Sequence, residues 1–129
     1  MHELGITQGI IERAREAAAR AAGVRVTDLY LIITPAADFT VESIEMYFEM
    51  LTDTDEYFRG ARLHWEPRPA AATCLGCGHE FEATESHPAC PSCGLRQARF
   101  DPRAPMLQLT DIGVAEESDA AAAGDGADG

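Results

Sequence analysis

Lysine is missing from this chain. All ten of its basic side chains are arginine, and 22 acids outnumber them to give a formal charge of −12 over 129 residues. Setting aside the five acids of residues 116–129 (Glu116, Glu117, Asp119, Asp125, Asp128), the remainder still carries −7. A nucleic-acid binder needs a cationic face to neutralise phosphates, so the charge argues against nucleic acid and towards basic proteins and cations as partners. Long hydrophobic runs are also missing. The longest apolar stretch is Leu29–Ile33, far short of the roughly 20 residues that cross a bilayer. No membrane partner is expected, and because no stretch reads as a presequence the expected address is the cytoplasm. No Ser/His/Asp set and no glycine-rich phosphate loop occurs, and His64-Trp65-Glu66-Pro67 is not a metalloprotease motif, so no enzyme is expected.

Cysteine is scarce and concentrated. All four cysteines lie between Cys74 and Cys93, as two Cys-x-x-Cys pairs with twelve residues between Cys77 and Cys90. A two-residue gap lets one tight turn aim two sulfurs at one point, and Gly78 and Gly94 can supply the positive φ such a knuckle needs. Two knuckles bring four thiolates around one tetrahedral ion, the pattern of a structural zinc site held by Cys74, Cys77, Cys90 and Cys93. Four thiolates leave no open position for a catalytic water. A disulfide framework would need an oxidising compartment, and a redox Cys-x-x-Cys would leave one pair idle. Iron in a rubredoxin-like tetrathiolate satisfies the same sulfur chemistry. His79 and His87 lie inside the loop as solvated polarity or as hydrogen-bond donors to a thiolate, with direct ligation as the alternative.

Taken in order, the chain predicts a helix from Leu4 to about Ala22. Thr7, Ile10, Ile11, Ala14, Ala17, Ala18 and Ala21 fall on one face, and Gly23 serves as the C-terminal stop. Val24–Thr34 reads as a strand whose apolar run implies burial on both faces. Thr40 is the expected N-cap of a second helix with a buried stripe of Ile44, Tyr47, Phe48 and Leu51, and Met46 or Met50 as core filler. Thr54 is expected to cap one more turn closed by Gly60. Ala61–Glu66 alternates as a half-buried strand with His64 outward. Pro67-Arg68-Pro69 and the alanines after it read as a linker, Leu95–Phe100 as a hairpin arm, and Asp101–Pro105 as a second linker. Met106–Val114 is a last strand, which cannot stand alone and is expected to return to the first sheet. The fold class is therefore α+β: two helices on a small, about three-stranded sheet with an inserted four-cysteine zinc-ribbon-like module. Its expected parts are 1–69 plus 105–115, a zinc-binding 70–104, and a disordered acidic tail at 116–129.

The first three residues offer a second metal site. A bulky residue after the initiator methionine blocks its removal, so the α-amine belongs to Met1. That amine, the His2 imidazole and the amide nitrogens of His2 and Glu3 can converge on one cation in a plane, a geometry that suits Ni(II) or Cu(II).

With these features the chain resembles the HypA/HybF family, nickel metallochaperones of [NiFe]-hydrogenase maturation. The resemblance is carried by Met1-His2-Glu3-Leu4, the acid-aromatic segment Glu42–Glu49, Gly60-Ala61-x-Leu63, the Cys74/Cys77 and Cys90/Cys93 knuckles, and Leu107-x-Leu109. It implies that His2 is the indispensable nickel ligand, that Glu3 shapes the site and that the four cysteines hold zinc. It further implies a nickel-delivery GTPase as partner, the hydrogenase large-subunit precursor as recipient, and in some organisms urease maturation, hence urease accessory proteins. Gly5 stands where serine is common, Val41 where proline often opens the second helix, and the usual glycine before the last strand is missing around Ala104-Pro105. The expected function is delivery of Ni(II) as transient cargo, with Zn(II) structural. The alternative is a zinc-ribbon adapter acting through protein contacts alone.

Overall fold

A computed structural model describes residues 2–115, with two helices and six strands among them. The proposed tail at 116–129 and Met1 lie outside the described residues, as does the His2 side chain. The chain divides into two compact units. Among the described residues the first takes 2–31, Phe39–His64 and 109–115, and the second takes Ile32–Asp38 and Trp65–Gln108.

In the first unit α1 (His2–Arg20) packs on α2 (Val41–Thr52). Thr7, Ile10, Ile11, Ala14 and Ala18 of α1 are buried as their spacing requires, whereas Ala17 is half-buried and Ala21, past the end of the helix, is exposed. The stop differs from expectation. Gly23 N–H reaches Ala18 O at 2.9 Å and Ala22 N–H reaches Ala19 O at 3.2 Å, the paired bonds of a Schellman motif. The left-handed residue is Ala22, at φ 57°. Gly23 serves another need, because a Cβ there would sit 2.7 Å from Val114 Cβ.

Thr40 caps α2 as expected, its Oγ1 accepting from Ser43 N–H at 3.1 Å. Ile44, Phe48 and Thr52 are buried, whereas Met46 and Met50 are 58% and 59% exposed, on the solvent side and not in the core. The following turn is capped by Asp55 and not by Thr54: its Oδ1 accepts from Tyr57 N–H at 3.0 Å. That turn delivers Phe58, which is fully buried and meets Phe48 edge-on at 6.3 Å between centroids.

One three-stranded sheet has the order β2–β1–β6, formed by β1 (Arg25–Ile33), β2 (Arg62–Pro67) and β6 (Leu107–Ala115). The last strand thus returns to the first, as its isolation in sequence required. Over the apolar run of β1, burial on both faces is not seen: Leu29 and Leu31 are buried, but Tyr30 is 41% exposed, whereas Val26 nearer the start of the strand is buried. The sheet has one open face, and there Tyr30 stacks on His64 at 4.6 Å.

The second unit contains a further sheet, β4–β3–β5, formed by β3 (Ala70–Cys74), β4 (Glu80–Ala83) and β5 (Ala98–Phe100). The alanines expected to be linker are its central strand. β3 pairs antiparallel with β4, Ala70 opposite Ala83, and with β5, Cys74 opposite Ala98. Ala70, Ala72, Cys74 and Ala83 are its buried side chains, a core with little apolar volume.

Candidate metal centre

β3 ends on Cys74 and so delivers the first sulfur. The chain then turns tightly: Gly78 N–H donates to Cys74 O at 2.9 Å, Gly76 N–H to Cys74 Sγ at 3.3 Å, and Cys74 N–H to His79 O at 2.9 Å. The second knuckle repeats each bond. Gly94 N–H donates to Cys90 O at 2.8 Å, Ser92 N–H to Cys90 Sγ at 3.4 Å, and Cys90 N–H to Leu95 O at 2.8 Å. Gly78 and Gly94 take φ of 79° and 82°, the backbone conformation their positions called for.

The four sulfurs lie within 4.8 Å of one another, with 3.6 Å between Cys74 and Cys93 and 3.6 Å between Cys77 and Cys90. A tetrahedral ion with metal–sulfur bonds near 2.3 Å sets sulfur–sulfur edges of about 3.8 Å, so the donor set fits an ion such as zinc. All four are free thiols. Cys74 and Cys90 are buried, Cys77 and Cys93 exposed. Hydrogen bonds from the Cys77 and Gly76 amides hold the Cys74 thiol down to about 7 against the opposing effect of burial. Burial pushes Cys90 up, but the Cys93 and Ser92 amides outweigh it and the thiol is lowered. The Leu95 amide favours the Cys93 thiolate, yet burial and the three neighbouring sulfurs push it up to about 12. Thiolates this close cannot all ionise without a cation among them, and a divalent ion removes that conflict.

His79 stacks on Phe81 at 6.1 Å, and His87 sits beside Ser86 with Nδ1 3.3 Å from Oγ. Neither belongs to the cysteine cluster, the one group of metal-ligating side chains found among the described residues. At the other candidate site, α1 begins at His2, and Glu3 is half-buried with its carbonyl accepting from Thr7 Oγ1 at 2.7 Å. The sequence reading missed a contact on the open sheet face: His64 Nε2 lies 2.8 Å from Asp28 Oδ1. This bond to His64 is the main cause lowering the Asp28 carboxyl, with help from Thr27 against the effect of burial. No spacing signals that pair, because it depends on which strands become neighbours.

The family model described as "Hydrogenase/urease nickel incorporation, metallochaperone, hypA" matches residues 1–107. Among relatives, the hydrogenase maturation factor HypA of Azotobacter vinelandii is 38% identical over 94 residues, covering 73% of this chain and 82% of the relative. That of Caldanaerobacter subterraneus subsp. tengcongensis is 31% identical over 114 residues, covering 88% and 99%. The fold is similar to the solution structure of the Ni metallochaperone HypA from Helicobacter pylori, with TM-score 0.62 at 15% identity, covering 89% of this chain and 98% of that one.

Proposed function

The chain belongs to the HypA family of hydrogenase and urease nickel-incorporation metallochaperones, and from that premise we propose that it binds Ni(II) at its own N-terminus and hands it on for [NiFe]-hydrogenase maturation. The observation carrying this reading is the extent of the family match, which starts at residue 1 and includes both Met1-His2-Glu3 and the cysteine quartet. The Met1 amine, the His2 imidazole and the amide nitrogens of His2 and Glu3 hold the cargo. The start of α1 supports this use of the backbone. Its first amides have no acceptor within the helix, so those of residues 2 and 3 are not committed to the ladder. A helix N-terminus disfavours a cation by about 0.3–1 kcal/mol. Glu3, an acid in the first turn, offsets that field.

Cys74, Cys77, Cys90 and Cys93 hold zinc, which supplies folding energy to a unit whose own core is mostly alanine. The protein does no catalysis of its own and works in the cytoplasm. A nickel-delivery GTPase is its partner, the hydrogenase large-subunit precursor receives the metal, and urease accessory proteins are a further outlet.

Calorimetric titration with Ni(II) tests the site on native protein, His2→Ala, and a form with two residues added before Met1. Nickel binding is expected to vanish in both altered forms, because one lacks the imidazole and the other turns the amine into an amide. Zinc content and helicity stay unchanged. Equal affinity in all three overturns the reading.

A further inference from the structure

The solvent side of α2 has an arrangement that nickel and zinc binding leave unused. At 100° per residue, Glu42, Glu45, Met46, Glu49, Met50 and Asp53 fall within an arc of about 140°, opposite buried Ile44 and Phe48, and all six are exposed. Two exposed methionines four residues apart form an adaptable apolar strip. Acids border the strip along its length, and α2 contains no arginine. Glu49 lies in the last turn and Asp53 is the C-cap residue, so both face the negative end of the helix dipole. Among the described residues Glu42, Glu49 and Asp53 have no ion-pair partner. Apolar exposure and charge placement both work against the isolated fold here.

Beside this face lies a cleft of about 280 Å³ between α2 and the start of β2. Glu45 and Glu49 line it together with Phe48, Thr52, Gly60, Ala61 and Leu63, so carboxylates stand beside a few hydrocarbon groups in a lining more polar than apolar. That combination suits one kind of side chain: an arginine or lysine whose stem lies against Leu63 and the edge of Phe48 while its charged head meets the carboxylates.

We propose that this face docks a basic amphipathic helix of a partner protein, its apolar side chains covering Met46 and Met50 and one arginine or lysine entering the Glu45–Glu49 cleft. A second copy of the chain is a poor occupant. It brings the same acidic excess and no lysine, and a two-fold contact would set one acidic row against another. A basic helix brings charge of the opposite sign along the whole strip and speeds its own encounter.

Nothing in this docking depends on nickel, so the assay uses the full chain loaded with zinc alone. The probe is a labelled helical peptide of about 18 residues, long enough to run the length of α2, with leucines on one face and arginines flanking them. A matched peptide carries glutamates for the arginines. Anisotropy is expected to show binding of the arginine peptide only. Met46→Ser/Met50→Ser and Glu45→Gln/Glu49→Gln each weaken it by about tenfold or more, whereas Glu12→Gln/Glu16→Gln on exposed α1 positions changes it less than about twofold. Circular dichroism checks that each variant is folded. Equal losses from the α1 and α2 glutamine pairs would mean attraction to bulk charge alone and overturn the proposal. Binding untouched by the methionine substitutions overturns it too, as does equal binding of the glutamate peptide. A concentration-dependent dimer of the chain that the methionine substitutions abolish assigns the face to a second copy, and also overturns it.

Discussion

Arg15 of α1 places its Nη2 2.8 Å from Asp55 Oδ2 while its guanidinium lies 4.9 Å from the centre of the Phe58 ring. One side chain thus pins the turn after α2 to α1, and does so at the residue that fills the core. The hydrogen bond from Arg15 is the main cause holding the Asp55 carboxyl below its usual range, with the Tyr57 amide adding to it and burial opposing. A partly exposed pair with a stacked cation contributes about 1 kcal/mol. Arg15→Ala should cost that much in urea unfolding. The sign with pH follows from the depressed pKa: the contribution is complete above the unfolded carboxyl's value of about 3.9 and fades as pH falls through the lower folded value. In Arg15→Ala a carboxyl NMR titration should find the Asp55 midpoint moved up towards the ordinary range. An unmoved midpoint removes Arg15 as the cause.

The end of α1 gives two substitutions of opposite sign. Ala22 holds a left-handed φ of 57°, which costs a residue with a Cβ about 1 kcal/mol. Ala22→Gly should stabilise the protein by up to that amount. Gly23→Ala should destabilise it by about 1–3 kcal/mol through overpacking, since the new methyl would meet Val114. Val114→Gly in the same chain should recover part of the loss, because the 2.7 Å contact is with the Val114 Cβ itself, which alanine would keep. Thermal unfolding of the three variants decides, and a Gly23→Ala protein as stable as native contradicts the close approach.

Removing one sulfur separates the two units by their source of stability. Cys93→Ala is expected to release zinc and melt residues 70–104, where the buried side chains are Ala70, Ala72, Ala83 and Pro88 with Cys74 and Cys90. The first unit, with Phe58, Leu29, Leu31 and Ile44 fully buried, should keep its helical ellipticity. Zinc is followed with a chromogenic chelator. Stoichiometric zinc in the variant would show that the quartet is not the site.

Nickel affinity should fall steeply below neutrality, because protons compete for each proposed ligand. The free α-amine has an ordinary pKa of about 7.7–8.0 and the imidazole one of about 6.5. Both must lose a proton to bind, and each ligated amide releases one more. Affinity is therefore highest above the amine's pKa and is lost as pH drops through both values. Titrations in buffers of different ionisation enthalpy count the protons released. A pH-independent affinity would be incompatible with amine and imidazole ligation.

Much of this protein is local, and local features are legible in a sequence. The spacing of Thr7, Ile10, Ile11, Ala14 and Ala18 sets the buried face of α1, and Thr40 marks the start of α2. The two Cys-x-x-Cys-Gly repeats specify two matching knuckles, because a tight turn with one left-handed glycine admits few alternatives. Tertiary structure decided what depends on neighbours distant in sequence. Tyr30 sits in an unbroken apolar run and yet faces solvent, because β1 belongs to a sheet with one open face where His64 from another strand covers it. Ala70–Cys74 reads as linker because alanine has no strand preference of its own. It becomes a central strand only when β4 and β5 supply hydrogen bonds on both sides. Met46 and Met50 look like core residues by type, but the helix phase set by Ile44 and Phe48 turns them outward. Gly23 shows the division within one residue. Composition marks a helix end there, but the space that forbids a side chain is created by Val114, from a strand 91 positions further along the chain.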